Sequence, residues 1–480
     1  MKKPLYAAFL LFLCGIAFGQ TSPFDEALCE FFQKPEYQHA TVGIHVVDLE
    51  SGKQIYDLNA DKLMIPASTL KLVTSATALE LLGPDYRFKT VIGYTGKIEN
   101  KTLKGNLVIK GGGDPALGSE YFQEHYFNTN FLKVWTEKIR NTGIESINGN
   151  LILDISLYDS EKIPPTWIWE DMGNYYGAVS SALSVYDNLF RITFRSPQKA
   201  GKPTKIIAVF PVIEGIILQN EVVSSEVNRD LAFVFGSPFD NNRVIRGSIP
   251  KNRRAFTIKA SIPQPQKLLG LQLKNALADE GIFLTGEIKT ENSNKQNYKP
   301  IYIQYSPQLA EIVKILNEES VNLFAEHLVK QISAEIKGKG NRQDGIEILQ
   351  DFWQNKGFKK EDWFIEDGSG LSHFNAVSPA TFTKLLAYMA TESDNSLVFL
   401  NSLPMPGNGT MIYFNESKFP ENSLKAKSGS MTRVRCYAGY LTTDAGSEVA
   451  FSVMVNHFSG THLQLIRHIE ELFFQIKTEF

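Results

Sequence analysis

Cysteine is nearly missing from this chain: Cys14, Cys29 and Cys436 are the only three in 480 residues. Two or three cysteines cannot build a disulfide framework. No His-Glu-x-x-His motif and no closely paired cysteines occur, so a metal centre has no support and neither a metal nor a cofactor is expected. Long basic runs are absent and the net charge is −3, which argues against a nucleic-acid partner. Beyond the N-terminal segment no apolar run approaches the length of a membrane-spanning helix, and no internal repeat stands out. Gly111, Gly112 and Gly113 lack the Lys-Ser/Thr that completes a phosphate-binding loop, so they read as a turn.

What remains is ordinary in bulk: 43% hydrophobic and 21% charged residues, as in soluble globular proteins, on a chain long enough for roughly three domains. The N-terminus is more specific. Lys2 and Lys3 precede an apolar stretch from Leu5 to Phe18, and Ala17-Phe18-Gly19 offers small residues where a signal peptidase reads. Residues 1–19 are therefore expected to be a signal peptide, cleaved before Gln20. A lipoprotein reading through Cys14 has Leu13 where a small residue is wanted. Cleavage removes two lysines and brings the net charge from −3 to −5, with no transmembrane anchor expected to remain. Cys29 and Cys436 are expected as free, buried thiols, with a bridge between them as the alternative.

Periodicity predicts a helix over 25–32, then a hairpin of strands 40–49 and 53–58 around Glu50-Ser51-Gly52. A helix follows from Leu70 to Leu82, stopped by Gly83-Pro84. Near the other end, strands 434–443 and 448–457 flank Asp444-Ala445-Gly446, and the stripe Leu463, Leu465, Ile466, Ile469, Leu472, Phe473, Ile476 predicts a helix. Both ends together suggest one antiparallel sheet with helices on its faces, an α+β fold. Between them lies a β-rich texture: strands over 88–94, 102–109, 150–155, 189–194, 205–212, 231–235 and 255–262, and helices only over 131–142 and 268–280. Residues 20–90 and 300–480 are thus assigned to one domain and 91–299 to a β-rich insertion, one unit nested in another, with 296–300 as the return linker. Helices resume over 307–318 and 323–337.

Three separated stretches carry the chemistry: Ser68-Thr69-Leu70-Lys71, Ser320-Val321-Asn322 and Lys427-Ser428-Gly429. Ser-x-x-Lys also occurs at Ser196…Lys199 and Ser248…Lys251, but there a proline (Pro197, Pro250) interrupts it. Ser68 and Lys71 instead share one face at a helix start. A serine hydroxyl needs a nearby base, and a lysine serves if burial and another cation lower its pKa. Backbone N–H groups at a helix N-terminus favour the negative charge of a tetrahedral intermediate. Ser320 and Asn322 alternate around Val321, so both can face one cleft; alternatively Ser320 merely caps the next helix. Lys427 raises the local positive potential, Ser428 can bind a carboxylate, and Gly429 lets a substrate backbone lie close to the strand. The bland reading there is an exposed edge-strand lysine followed by a bulge.

In this order the motifs resemble those of penicillin-recognising serine enzymes. Ser320 stands 252 positions after Ser68, a gap that resembles the class C low-molecular-mass penicillin-binding proteins, the D-alanyl-D-alanine carboxypeptidase/endopeptidase family. The segments 111–115, 167–171, 175–178, 322–326 and 367–372 are similar to family segments, so the likeness spans nearly the whole mature chain. The resemblance implies a serine β-lactamase/transpeptidase-like catalytic domain with a large insertion between the first two motifs. It implies an exported DD-peptidase, in the periplasm or at the outer face of the cytoplasmic membrane, with peptidoglycan peptides as substrates and β-lactams as covalent inhibitors. By it Ser68 is the nucleophile, Lys71 the base and Ser320 the proton shuttle. Asn322 positions Lys71 and the substrate amide, Lys427 sets the electrostatics, and Ser428 and Ser430 receive the terminal carboxylate. The N–H groups of Ser68 and Ser430 form the oxyanion hole. Ser369, His373, Asp171 and Tyr176 are expected to bind substrate, with His373 standing where the family often has arginine and Ser428 where it usually has threonine. A β-lactamase and a non-catalytic β-lactam or cell-wall-binding protein are the rival readings. Asp367, Ser369 and His373 do not read as a Ser-His-Asp triad, since triads converge in space rather than in sequence.

Overall fold

The computed structural model describes residues 22–126, 130–292 and 297–480; the expected signal peptide lies outside them. Two hairpins and one further strand form a five-stranded antiparallel sheet in the order Gln54–Leu58, Thr41–Asp48, Glu448–Asn456, Val434–Thr442, Leu424–Met431. The period of two in these strands divides their side chains between two cores. Val42, Ile44, Val46, Phe451, Val453 and Val455 pack with the terminal helices Pro23–Gln33 and His462–Glu479. Cys436, Ala438, Ala450 and Met454 face the opposite core, which holds helices Lys71–Leu82, Asn322–Lys337 and Pro379–Thr391. Burial on both faces makes this a layered α+β structure.

Helix Lys71–Leu82 is the central one, with every residue from Lys71 to Leu79 buried. It has no polar face to give it amphipathic periodicity. A 3₁₀ turn, Ala67–Leu70, carries Ser68 into it, and Gly83, at φ +83°, closes it. No helix among the described residues is long and apolar enough to cross a membrane.

Strands Lys89–Tyr94 and Lys299–Tyr305 pair with each other at one edge of a second five-stranded sheet. The boundaries expected after residues 90 and 299 cut through both. The expected linker corresponds here to the first residues of a strand, Lys299 and Pro300, while Gln296 lies outside the described residues. Parallel pairs Leu107–Lys110 with Leu151–Asp154 and Ile288–Glu291 with Leu151–Asp154 build this sheet, and strands between Leu189 and Ser261 form two smaller ones. Cys436 is buried and donates its thiol to the Ile65 carbonyl at 3.4 Å. Cys29, expected to be buried, is exposed on the first helix, and no disulfide joins the two.

Candidate active site

The Ala67–Leu70 turn, the start of helix Asn322–Lys337, the 367–370 turn and strand Leu424–Met431 converge on one cleft. Lys71 Nζ lies 2.9 Å from Ser68 Oγ, 2.6 Å from Asn322 Oδ1 and 2.6 Å from the Ser369 carbonyl. The last two are obligate acceptors. As an ammonium Lys71 donates to all three; once neutral, its two N–H groups go to the last two and its lone pair is free to accept the Ser68 hydroxyl. Burial brings the Lys71 amine down to about 7, against the opposing charges of Asp367 and Glu326. Lysine and serine differ in access as the chemistry requires: Lys71 is fully buried, whereas Ser68 is half-buried.

The second and third motifs meet across the cleft. Lys427 Nζ donates to Ser320 Oγ at 2.9 Å and to the Ser428 carbonyl at 2.8 Å. Burial holds its amine well below the usual lysine value, and the neighbouring charges of Lys71 and Arg435 push the same way. This lysine is fully buried, not exposed at an edge. Ser320 adopts φ +58°, a left-handed conformation costing roughly 1–2 kcal/mol for a non-glycine residue. The helix after it is capped at Val321 with no side-chain bond, so the Ser320 hydroxyl serves Lys427 rather than the helix end. Asn322 donates from Nδ2 to the Tyr176 carbonyl at 2.9 Å, which fixes its Oδ1 towards Lys71.

Gly429, expected to admit a substrate backbone, lies close against the Ala67–Leu70 turn that carries Ser68. A Cβ there would stand 2.5 Å from the Pro66 carbonyl oxygen, 3.0 Å from the Thr69 nitrogen and 3.1 Å from the Ser68 nitrogen. All three are main-chain atoms, so the turn would have to move. Gly429→Ala is expected to slow acylation of Ser68 about a hundredfold, the scale of a catalytic group displaced by about 1 Å. Penicillin-labelling rates of a variant with unchanged circular dichroism would measure this; wild-type rates would show that the close approach is unimportant.

The remaining predicted residues divide. Ser428 is buried and Ser430 exposed on the same strand. Ser369, expected to bind substrate, is fully buried beneath the cleft; its carbonyl accepts from Lys71 and its N–H donates to Glu326 Oε1 at 2.9 Å. It supports the lysine and does not face a ligand. Asp171 is buried and hydrogen-bonded by the Tyr176 hydroxyl; burial, then the charge of Glu170, pushes its carboxyl up to about 7. His373 is exposed just past this turn.

Sequence reasoning missed the scaffold under the turn. Asp367 accepts from the Gly370 and Ser372 N–H groups, from Asn375 Nδ2 and from Trp167 Nε1, at 2.7–2.8 Å. Trp167 thereby ties segment 167–171 to the 367–370 turn. Segments 167–171 and 367–372 hold Trp167 and Asp367, but no local pattern pairs a tryptophan with an aspartate 200 positions away.

Comparisons with known proteins fall on this geometry. The sequence profile of the D-Ala-D-Ala carboxypeptidase 3 (S13) family matches residues 24–471. The chain is 27% identical to a D-alanyl-D-alanine carboxypeptidase of Actinomadura sp. (strain R39) over 450 residues, which cover 91% of this chain and 81% of that one. It is 25% identical to D-alanyl-D-alanine carboxypeptidase DacB of Haemophilus influenzae over 461 residues, 94% and 93% of the two chains. The crystal structure of penicillin binding protein 4 from Haemophilus influenzae superposes with a TM-score of 0.81 at 24% identity, covering 94% of this chain and 99% of that one. At that identity the superposition shows the shared fold.

Proposed function

The chain belongs to the D-Ala-D-Ala carboxypeptidase 3 (S13) family, and from that premise we propose that Ser68, Lys71, Ser320, Asn322 and Lys427 are its catalytic residues. It is a serine-type DD-peptidase of the penicillin-binding class C group, acting on peptidoglycan. The observation that carries the site assignment is the contact of Lys71 with Ser68, Asn322 and the Ser369 carbonyl, facing the Lys427–Ser320 pair.

In this reading the neutral Lys71 amine takes the Ser68 proton as Oγ attacks the carbonyl of the penultimate D-Ala. The new C–O bond forms and the C–N bond breaks. Ser320, held by Lys427, passes a proton to the departing amine. Ser428 and Ser430, beside Lys427, receive the terminal carboxylate, and the N–H groups of Ser68 and Ser430 hold the oxyanion. Losing one such donor typically costs about 3 kcal/mol of transition-state stabilisation. Water then hydrolyses the acyl-enzyme, and a β-lactam enters the same path to leave a covalent adduct. Asp171, Tyr176 and His373 are assigned to the substrate's side chain. Residues 1–19 direct export, to the periplasm or the outer face of the cytoplasmic membrane. The segment between the paired strands Lys89–Tyr94 and Lys299–Tyr305 acts as an inserted unit, supplying Asp171 and Tyr176 to one wall.

The purified protein should form a stable adduct with fluorescent penicillin at Ser68 and release D-Ala from a D-Ala-D-Ala peptide. A peptidoglycan digest scored for trimmed stem peptides and for cut cross-links gives the carboxypeptidase-to-endopeptidase balance. Rapid penicillin turnover without D-Ala release would make it a β-lactamase instead, and an adduct with neither turnover would make it a sensor.

A further inference from the structure

Beneath the catalytic lysine lies an acid to which no motif assigned a task. Glu326 sits one helical turn after Asn322 on helix Asn322–Lys337 and is only 4% exposed. Its Oε1 accepts the backbone N–H groups of Gly368 at 3.1 Å and Ser369 at 2.9 Å. The carbonyl of the same Ser369 accepts from Lys71 Nζ at 2.6 Å. Acid and amine therefore hold one residue from its two ends. The turn is pinned again by the Thr74 hydroxyl, which donates to the Gly368 carbonyl at 2.6 Å.

The charges around this pair come from several elements. Asp367, on the same turn, has its oxygens occupied by four donors. Arg342, on helix Arg342–Gln354, feels the charge of Glu326 but spends its guanidinium on Glu161 and the Glu366 carbonyl. Lys330, further along the helix of Glu326, is taken by Asp159. Lys427 faces Lys71 from the sheet. Burial, and then the charge of Asp367, pushes the Glu326 carboxyl up to about 7, the range to which burial lowers the Lys71 amine. Burial thus raises the acid and lowers the amine, so the proton affinities of the two groups approach each other.

We propose that Glu326 is a positioning residue for acylation: it holds the Ser369 carbonyl against Lys71, and its charge governs how readily that lysine gives up its proton. The proposal rests on Lys71 being the base that activates Ser68. As the Ser68 proton passes to Nζ and the acyl C–O bond forms, an ionised Glu326 favours the ammonium produced. A protonated Glu326 favours the neutral amine that must precede it.

The test is the pH dependence of Ser68 acylation by fluorescent penicillin in wild type, Glu326→Gln and Glu326→Asp. Glutamine keeps an acceptor oxygen for the two N–H groups and removes the charge. The midpoint of the acid limb should move to lower pH by about half a unit or more, since an opposite charge at close range raises a lysine's proton affinity. Aspartate keeps the charge on a shorter reach, so the midpoint should hold while the plateau falls. A lowered plateau with an unmoved midpoint in Glu326→Gln would leave only a packing role and overturn the proposal. If that variant does not fold, Glu326→Asp decides: a plateau equal to that of the wild type overturns it. Failure of wild-type Ser68 to label at all would instead remove the assignment of Lys71 and Ser68 themselves, and the proposal with it.

Discussion

Ser68→Ala is expected to abolish covalent labelling by fluorescent penicillin and to bring D-Ala release down to background. The hydroxyls of Ser320, Ser369 and Thr69 are not placed to take over. Ser320 Oγ is engaged by Lys427 at 2.9 Å, and Ser369 is fully buried. Thr69 donates its hydroxyl to the Pro66 carbonyl at 2.6 Å within the same turn. Alanine preserves the turn, because Ser68 contributes its Oγ to the cleft and only its backbone to the 3₁₀ geometry. The variant should therefore fold and still bind ligand reversibly. Gel fluorescence after boiling, beside the wild type, reads the result. Undiminished labelling of the alanine variant would place the acylated residue elsewhere and dissolve the site.

Lys71→Ala should slow acylation by about 10³-fold or more, the range lost when a positioned general base is removed. The substitution also leaves Asn322 Oδ1 and the Ser369 carbonyl without the donor that now reaches both at 2.6 Å, so the turn beneath the cleft should loosen. In the wild-type protein the sign of the pH effect follows from proton counting. Below about 7 Nζ carries a third proton and has no lone pair with which to accept the Ser68 hydroxyl. Acylation should then be slow, rising as pH passes upward through that value. Burial, and then the charges of Lys71 and Arg435, also hold the Lys427 amine well below the usual lysine value, and loss of its proton would weaken the attraction for a substrate carboxylate. The alanine variant should lose the acid limb altogether. An unchanged limb in Lys71→Ala would assign the base to another group.

Much of the catalytic half was legible because its signals are local. Strand-like residues flanking the turns Glu50-Ser51-Gly52 and Asp444-Ala445-Gly446 predicted two hairpins whose strands fall within a residue or two of the observed ones. The stop at Gly83-Pro84 marked the end of the serine-bearing helix. The insertion was less legible. Strands Asn242–Pro250, Ile217–Asn220 and Ile288–Glu291 escaped, and each makes a parallel pairing. Partners far apart in sequence leave no hairpin turn between them to announce the pair. Asn242–Pro250 also exposes Arg246 and Gly247 side by side, which breaks the alternation by which a half-buried strand is recognised.

The sequence by itself settled which groups were available and in what order: a serine and a lysine one turn apart, a serine and an amide flanking a valine, and a lysine before two small residues. It also showed that closely spaced cysteine pairs and metal-binding motifs are missing from the chain. Tertiary structure alone decided that Lys71 is dry enough to lose a proton near neutrality, that Gly429 packs against the turn carrying Ser68, and that Ser369 lies under the cleft instead of in it. Only the folded chain brings Glu326 and Asp367 beneath the lysine. The reason is physical: spacing along a chain specifies which face of a helix or strand a residue occupies, whereas desolvation and charge coupling depend on everything packed around that face, supplied here by segments hundreds of residues apart.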